Sequence, residues 1–119
     1  MTAPNILQTS SIVGKTDVLD VTTSATAITT NTVGSNCVYK INCVVVANVN
    51  GVNPGDITID LYRSATAYRL VNTISVMNDS TLIAIGRDYP LYLEEGDALR
   101  LTASANSYLT AVSSYEVIS

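Results

Sequence analysis

The densest run of side chains able to do chemistry is Glu94-Glu95-Gly96-Asp97, three carboxylates within four residues. Such a cluster can hold calcium or move protons. It is also the composition of a tight turn in which Gly96 takes a positive φ and Asp97 caps the start of the next strand, and the turn is the preferred reading. The chain has no His, which removes the commonest general base and metal ligand together with every nucleophile arrangement built on imidazole. Asn48, Asn50, Asn53 and Asp56 miss the spacing of a calcium loop and carry a single charge, so they read as self-bonded Asx turns. Phosphate-binding glycine loops, Gly-x-Ser-x-Gly elbows and Cys-x-x-Cys pairs do not occur. No catalytic, metal or cofactor residue is therefore assigned, and a non-enzymatic protein is expected.

Cys37 and Cys43 fall in one apparent strand, where six residues at about 3.3 Å each put them roughly 20 Å apart, against the ~7 Å limit for a disulfide. They are expected to be two thiols that pack as small hydrophobes, with an intersubunit bridge or a metal site as the alternatives. Tyr62 and Tyr68 flank a predicted hairpin with Arg63 and Arg69 beside them, and Tyr with Arg is the composition of interface hot spots. These four residues form the first candidate contact surface, against the plainer alternative that the Tyr rings only cover the sheet and keep their hydroxyls in water.

The elements that must position these residues are strands. Short β-like runs separated by turn residues fall near 6–13, 17–29, 36–49, 56–63, 67–76, 81–86, 90–93 with 97–104, and 108–118, while no apolar pattern keeps a helical spacing. In Asp56-Ile-Thr-Ile-Asp-Leu-Tyr-Arg63, Ile57, Ile59 and Leu61 share one face; in Ala98-Leu-Arg-Leu-Thr-Ala-Ser104, Leu99, Leu101 and Ala103 do the same. From 37 to 49 the inner face is assigned to Tyr39, Ile41, Cys43, Val45 and Ala47. Lys40 and Asn42 mark the outer face, which Val44 and Val46 continue. That stretch is expected to be covered on both sides, by the first strand or by another subunit, so Val44 and Val46 join the candidate interface. About eight antiparallel strands predict an all-β, two-sheet β-sandwich, with a jelly roll preferred to an immunoglobulin-like order. Residues 1–5 are expected to form an N-terminal arm and residues 6–119 one domain.

Composition bounds the partners. A chain of 119 residues with net charge −4 and six scattered basic residues offers no field for phosphate backbones, so nucleic acid is not expected. Neither a secretion signal nor an apolar run of membrane-spanning length is present, and synthesis in a cytoplasm is expected, with no membrane partner. Charged residues are 13% of the chain, about half the usual share. Part of the surface is therefore expected to be covered by other chains.

The opening Met-Thr-Ala-Pro-Asn-Ile, Ala47-Asn-Val-Asn-Gly51 leading into Asp56 to Arg63, Thr73-Ile-Ser-Val76, the segment from Leu91 to Asn106 and the ending Ser114-Tyr-Glu-Val-Ile-Ser119 together resemble small virion structural proteins of tailed bacteriophages, particularly marine and cyanobacterial ones. The pattern from Leu93 to Leu101 is also similar to a strand-turn-strand feature of trimeric jelly rolls. The resemblance implies a virion protein, made in the host cytoplasm, that acts as a capsid decoration or cement subunit. Its partners would be the major capsid protein or other virion proteins, and copies of itself, with a trimer expected. The alternatives are a neck, baseplate or tail-fibre adaptor, and a carbohydrate- or receptor-binding module using Tyr62 and Tyr68.

Overall fold

In β4 (Gly55–Arg63) the alternation read from the sequence holds from Ile57 to Ile59, both fully buried with Thr58 between them half-buried; beyond it Leu61 is half-buried and Asp60, expected on the outer face, is buried beneath Arg69. Alternation also holds in β8 (Ala98–Ala103), where Leu99, Leu101 and Ala103 point inward and Arg100 and Thr102 outward. β-branched and aliphatic residues at a period of two fit a pleated surface with one covered face, and this is what makes these segments strands. The computed structural model describes residues 11–86 and 88–119. The remaining strands are β1 (Ile12–Val21), β2 (Thr26–Thr30), β3 (Val38–Asn48), β5 (Thr66–Val76), β6 (Thr81–Ile85), β7 (Leu91–Leu93) and β9 (Leu109–Ile118). The expected N-terminal arm, residues 1–5, lies outside the described residues.

All ladders are antiparallel. One sheet has the order β1-β9-β3-β6, with β7 also on β3, and the other has the order β2-β8-β4-β5. The two sheets close over one core that includes Ile41, Val44 and Val46 from β3, Leu109 and Ala111 from β9, and Ile57, Ile59, Leu99 and Leu101 from the opposite sheet. The fold is a β-sandwich. Its pairing is nested: β4 with β5, then β3 with β6 and β7, then β2 with β8, then β1 with β9, all centred on the turn at Ser64 and Ala65.

Among the described residues nine strands replace the expected eight: the runs expected over 6–13, of which 6–10 lie outside the described residues, and from 17 onward meet in the continuous β1, and two runs divide. The single run expected over 17–29 is broken at 22–25, where Thr22 Oγ1 both donates to the Ser24 carbonyl and accepts from the Ser24 N–H, a local turn that competes with extended pairing. The run joined over 90–104 is likewise two strands, β7 and β8, separated by the Gly96 turn.

The main departure is in β3. Val44 and Val46, expected on the outer face, are fully buried in the core, whereas Cys43, Val45 and Ala47 face outward. The cause is a bulge: Ile41 pairs with Tyr115 and Cys43 with Ser114, so Asn42 has no opposite number and the alternation shifts by one residue. An extra residue in one strand reverses the face of everything after it. Tyr39 and Ile41, before the bulge, keep their predicted inward face, and Tyr39 stacks on Tyr115 with ring centroids 5.3 Å apart. The double covering inferred for 43–46 therefore does not arise from Val44 and Val46.

Candidate functional site

The β4-β5 hairpin carries the first candidate surface. Its turn consists of Ser64 and Ala65, with φ of 52° and 59°. Two positive φ values in a two-residue loop match the twist of the flanking strands, although neither residue is the usual Asn or Gly. The turn projects Arg63 toward the Glu94-Glu95-Gly96-Asp97 segment. There Gly96 takes φ of 88°, and Asp97 accepts from the Glu94 N–H at 2.9 Å, so this run is a turn as predicted. The Asp97 carboxylate is buried and takes both Arg63 Nε (2.8 Å) and Nη2 (2.5 Å), while Nη2 also meets Glu94 at 2.7 Å. Hydrogen bonding to Asp97 raises the Arg63 pKa further above its ordinary value.

A shallow open depression of about 410 Å³ lies at this end, lined by Val33, Arg63, Ser64 and the 94–97 turn. Both Glu95 oxygens are buried without a hydrogen-bond partner, and no described group accounts for it. Among the described residues no three Cys, Asp or Glu side chains are placed to hold a metal ion. The ground between Glu94 and Asp97 belongs to the Arg63 guanidinium.

Tyr62, Arg63, Tyr68 and Arg69 do not form one patch. Tyr68 pairs with Leu61 and is exposed, whereas Tyr62 lies on the opposite face of the hairpin with Arg100 over its ring at 4.2 Å. Arg69 reaches the buried Asp60 at 2.5 Å, and Asp60 pairs with Arg100 on β8. Both hairpin guanidiniums are thus spent on the chain's own carboxylates, and of the four residues Tyr68 is the one left as an open apolar anchor.

Sequence reasoning missed the polar clamps inside the sandwich. Asn31 is fully buried and donates to the carbonyls of Cys37 and Leu93; Asn48 donates to those of Asn53 and Val76, fixing the loops at the two ends of β3. The 48–53 loop itself is made of the expected Asx turns, with the Asn50 N–H on Asn48 Oδ1 and the N–H groups of Val52 and Asn53 on Asn50 Oδ1. The Thr29 hydroxyl donates to Asp17 at 3.0 Å and shares a second hydrogen bond with the Ser113 hydroxyl, which is free to donate to it, at 3.2 Å, and Asp17 also takes a hydrogen bond from Tyr115. Burial, reinforced by that bond and by the Asp17 charge, pushes the Tyr115 hydroxyl up to about 12. These residues organise the core rather than a reaction. Cys37 and Cys43 are free and half-buried.

The other broad feature is the outer face of the β1-β9-β3-β6 sheet, where Val18, Val45 and Ile83 point to solvent beside threonines and serines. Its signal was partly present as the surplus of apolar residues over charged ones, but the bulge at Asn42 concealed which valine of β3 belongs to it.

No protein-family model matches the chain, and no curated protein does. Among solved structures, a chain from the Bacillus endospore appendages, described as a novel family of disulfide-linked pili, superposes with a TM-score of 0.51 at 17% identity, covering 99% of this chain and 95% of that one. At that identity the likeness shows a shared fold.

Proposed function

We propose that the chain is a non-enzymatic structural subunit that functions by packing into a larger assembly, and that the assembly is the virion of a tailed bacteriophage, with the capsid surface as its place. The observation that carries the packing role is the broad, weakly charged outer sheet face, in a chain whose candidate chemical groups, Arg63, Arg69, Asp60 and Asp97, are bound to one another. The virion setting comes from the resemblance of the sequence to phage structural proteins. The nested ladders, with β9 also against β3 and β8 against β4, support a jelly-roll reading of the sandwich, a fold common in capsid proteins. The Bacillus appendage chain supports the same use of the fold, since it belongs to an assembled pilus. A decoration subunit that binds only the assembled shell stabilises it by mass action.

Quantitative mass spectrometry of purified particles tests this reading. A stoichiometry comparable to that of the major capsid protein is expected. A few copies per particle moves the subunit to the neck or tail, and its absence from particles refutes the virion role. The carbohydrate-binding alternative is disfavoured by Tyr62, whose ring face is already covered by Arg100.

A further inference from the structure

The pairing register orders the outer face of the β1-β9-β3-β6 sheet into rows. One row takes a single apolar residue from each strand in turn, Val18, Val112, Val45 and Ile83. Its two ends are open, Val18 being 72% and Ile83 65% exposed. Further along the same face, Glu116 of β9 lies beside Lys40 of β3. Lys40 makes no ion pair among the described residues, and the Glu116 carboxylate accepts a hydrogen bond from Asn42 at 3.0 Å.

We propose that this face docks onto the same face of a second copy, about a twofold axis lying in the interface between β9 and β3 and running along the strands. This inference rests on the structural-subunit reading for its use in a particle, but not for its geometry. Such an axis keeps the rows aligned and reverses the order within each. Val18 then meets the partner's Ile83, Val112 meets the partner's Val45, and Lys40 meets the partner's Glu116. The two lysines and two glutamates alternate in sign around the axis, where like charges would oppose docking. A simple stacking without this reversal sets Lys40 on the partner's Lys40.

The size is adequate. Four strands about 4.8 Å apart and some eight residues at ~3.4 Å give a face of roughly 500 Å², hence about 1,000 Å² over both copies, the lower bound of a specific interface. Twisted sheets pack with strands within about 30° of each other, which an axis tilted ~15° from the strands supplies.

The test is a disulfide across the proposed contact in the full chain. Val18→Cys with Ile83→Cys is made in a Cys37→Ser, Cys43→Ser background and oxidised mildly. Within one copy the two positions are three strand spacings apart, about 14 Å, beyond the ~7 Å reach of a disulfide, so a bridge reports two copies. A reducible covalent dimer is expected from the double variant, with neither single variant cross-linking comparably. Light scattering of the unmodified chain should read twice 12.6 kDa. Val18→Asp should halve that mass, and its urea midpoint should match that of the unmodified chain diluted until it is monomeric. A monomeric or trimeric unmodified chain, equal cross-linking by a single variant, or a dimer that survives Val18→Asp overturns the proposal. A dimer that passes these tests in a protein missing from virions leaves the inference standing and removes the virion reading.

Discussion

Replacing Arg63 by Met keeps an apolar stem and removes the guanidinium that holds the hairpin to the 94–97 turn. The Asp97 carboxylate, with its side chain 3% exposed, is then left with the Glu94 N–H as its remaining hydrogen-bond donor. Breaking a buried ion pair from one side costs about 3–5 kcal/mol, and an exposed pair contributes about 0–1 kcal/mol. Arg63 itself is 40% exposed, which places the expected loss between these limits, at about 2–3 kcal/mol. For a domain of this size that corresponds to a fall in Tm of roughly 8–12 °C, or about 1.3–2 M in urea midpoint at an m-value near 1.5 kcal/mol/M. Thermal and urea unfolding followed by far-UV circular dichroism would measure it. Adding Asp97→Leu to Arg63→Met should recover part of the loss, because the charge stranded in the interior is gone. A cost below about 0.5 kcal/mol for Arg63→Met would mean that the pair behaves as an exposed one, and the argument from the burial of Asp97 would fail.

Tyr115 gives a pH signature. Its pKa in the folded chain lies above the roughly 10 of an unfolded tyrosine, so its contribution is intact below pH 10 and is lost as pH rises through about 12. Stability should fall by about 2 kcal/mol across that window, and in Tyr115→Phe the fall should be smaller, as read by urea midpoints at stepped pH. The phase of β3 is testable by neighbouring substitutions: Val44→Ala, in the core, should cost about 2 kcal/mol, and Val45→Thr, on the outer face, less than about 0.5 kcal/mol in the monomer. The reverse ranking in chemical denaturation would remove the bulge. Ala65→Gly should raise stability by about 0.5–1 kcal/mol, since Ala holds φ of 59° there and Gly does so without strain; an unchanged or lowered Tm counts against the turn geometry.

Most of the fold was legible where the chain alternates without interruption. Ile57 and Ile59, and Leu99 and Leu101, needed nothing beyond a period of two. Local chemistry also carried the Gly96 turn and the Asx turns at 48–53, because those backbones bond to their own neighbours. The sequence was misleading in β3, where one unpaired residue, Asn42, reverses the faces after it. A bulge is a property of two strands in register, and neither strand alone announces it. The same limit applies to the site. Arg63 and Arg69 were visible as candidates, but Asp97 reaches Arg63 from the turn before β8, and Asp60 faces Arg69 across the same hairpin only once its register is set, which converts free guanidiniums into internal ties. The row Val18-Val112-Val45-Ile83 joins residues from four separate strands, and only pairing brings them into line.

Nested pairing also sets an order of events. The β4-β5 hairpin closes across two residues, and each later ladder is formed by strands whose inner neighbours are already joined, so the loop still to be closed stays short even when the partners are far apart in sequence. The last pair, Ser11 with Ser119, links positions separated by nearly the full described length, yet it completes a ribbon rather than starting a search. Opening runs the other way. Among the described residues β1 is held by a single ladder, at the end of its sheet, and is exposed over most of its length, so its amides exchange with solvent before those of β3, β4 or β8, each fixed on both sides.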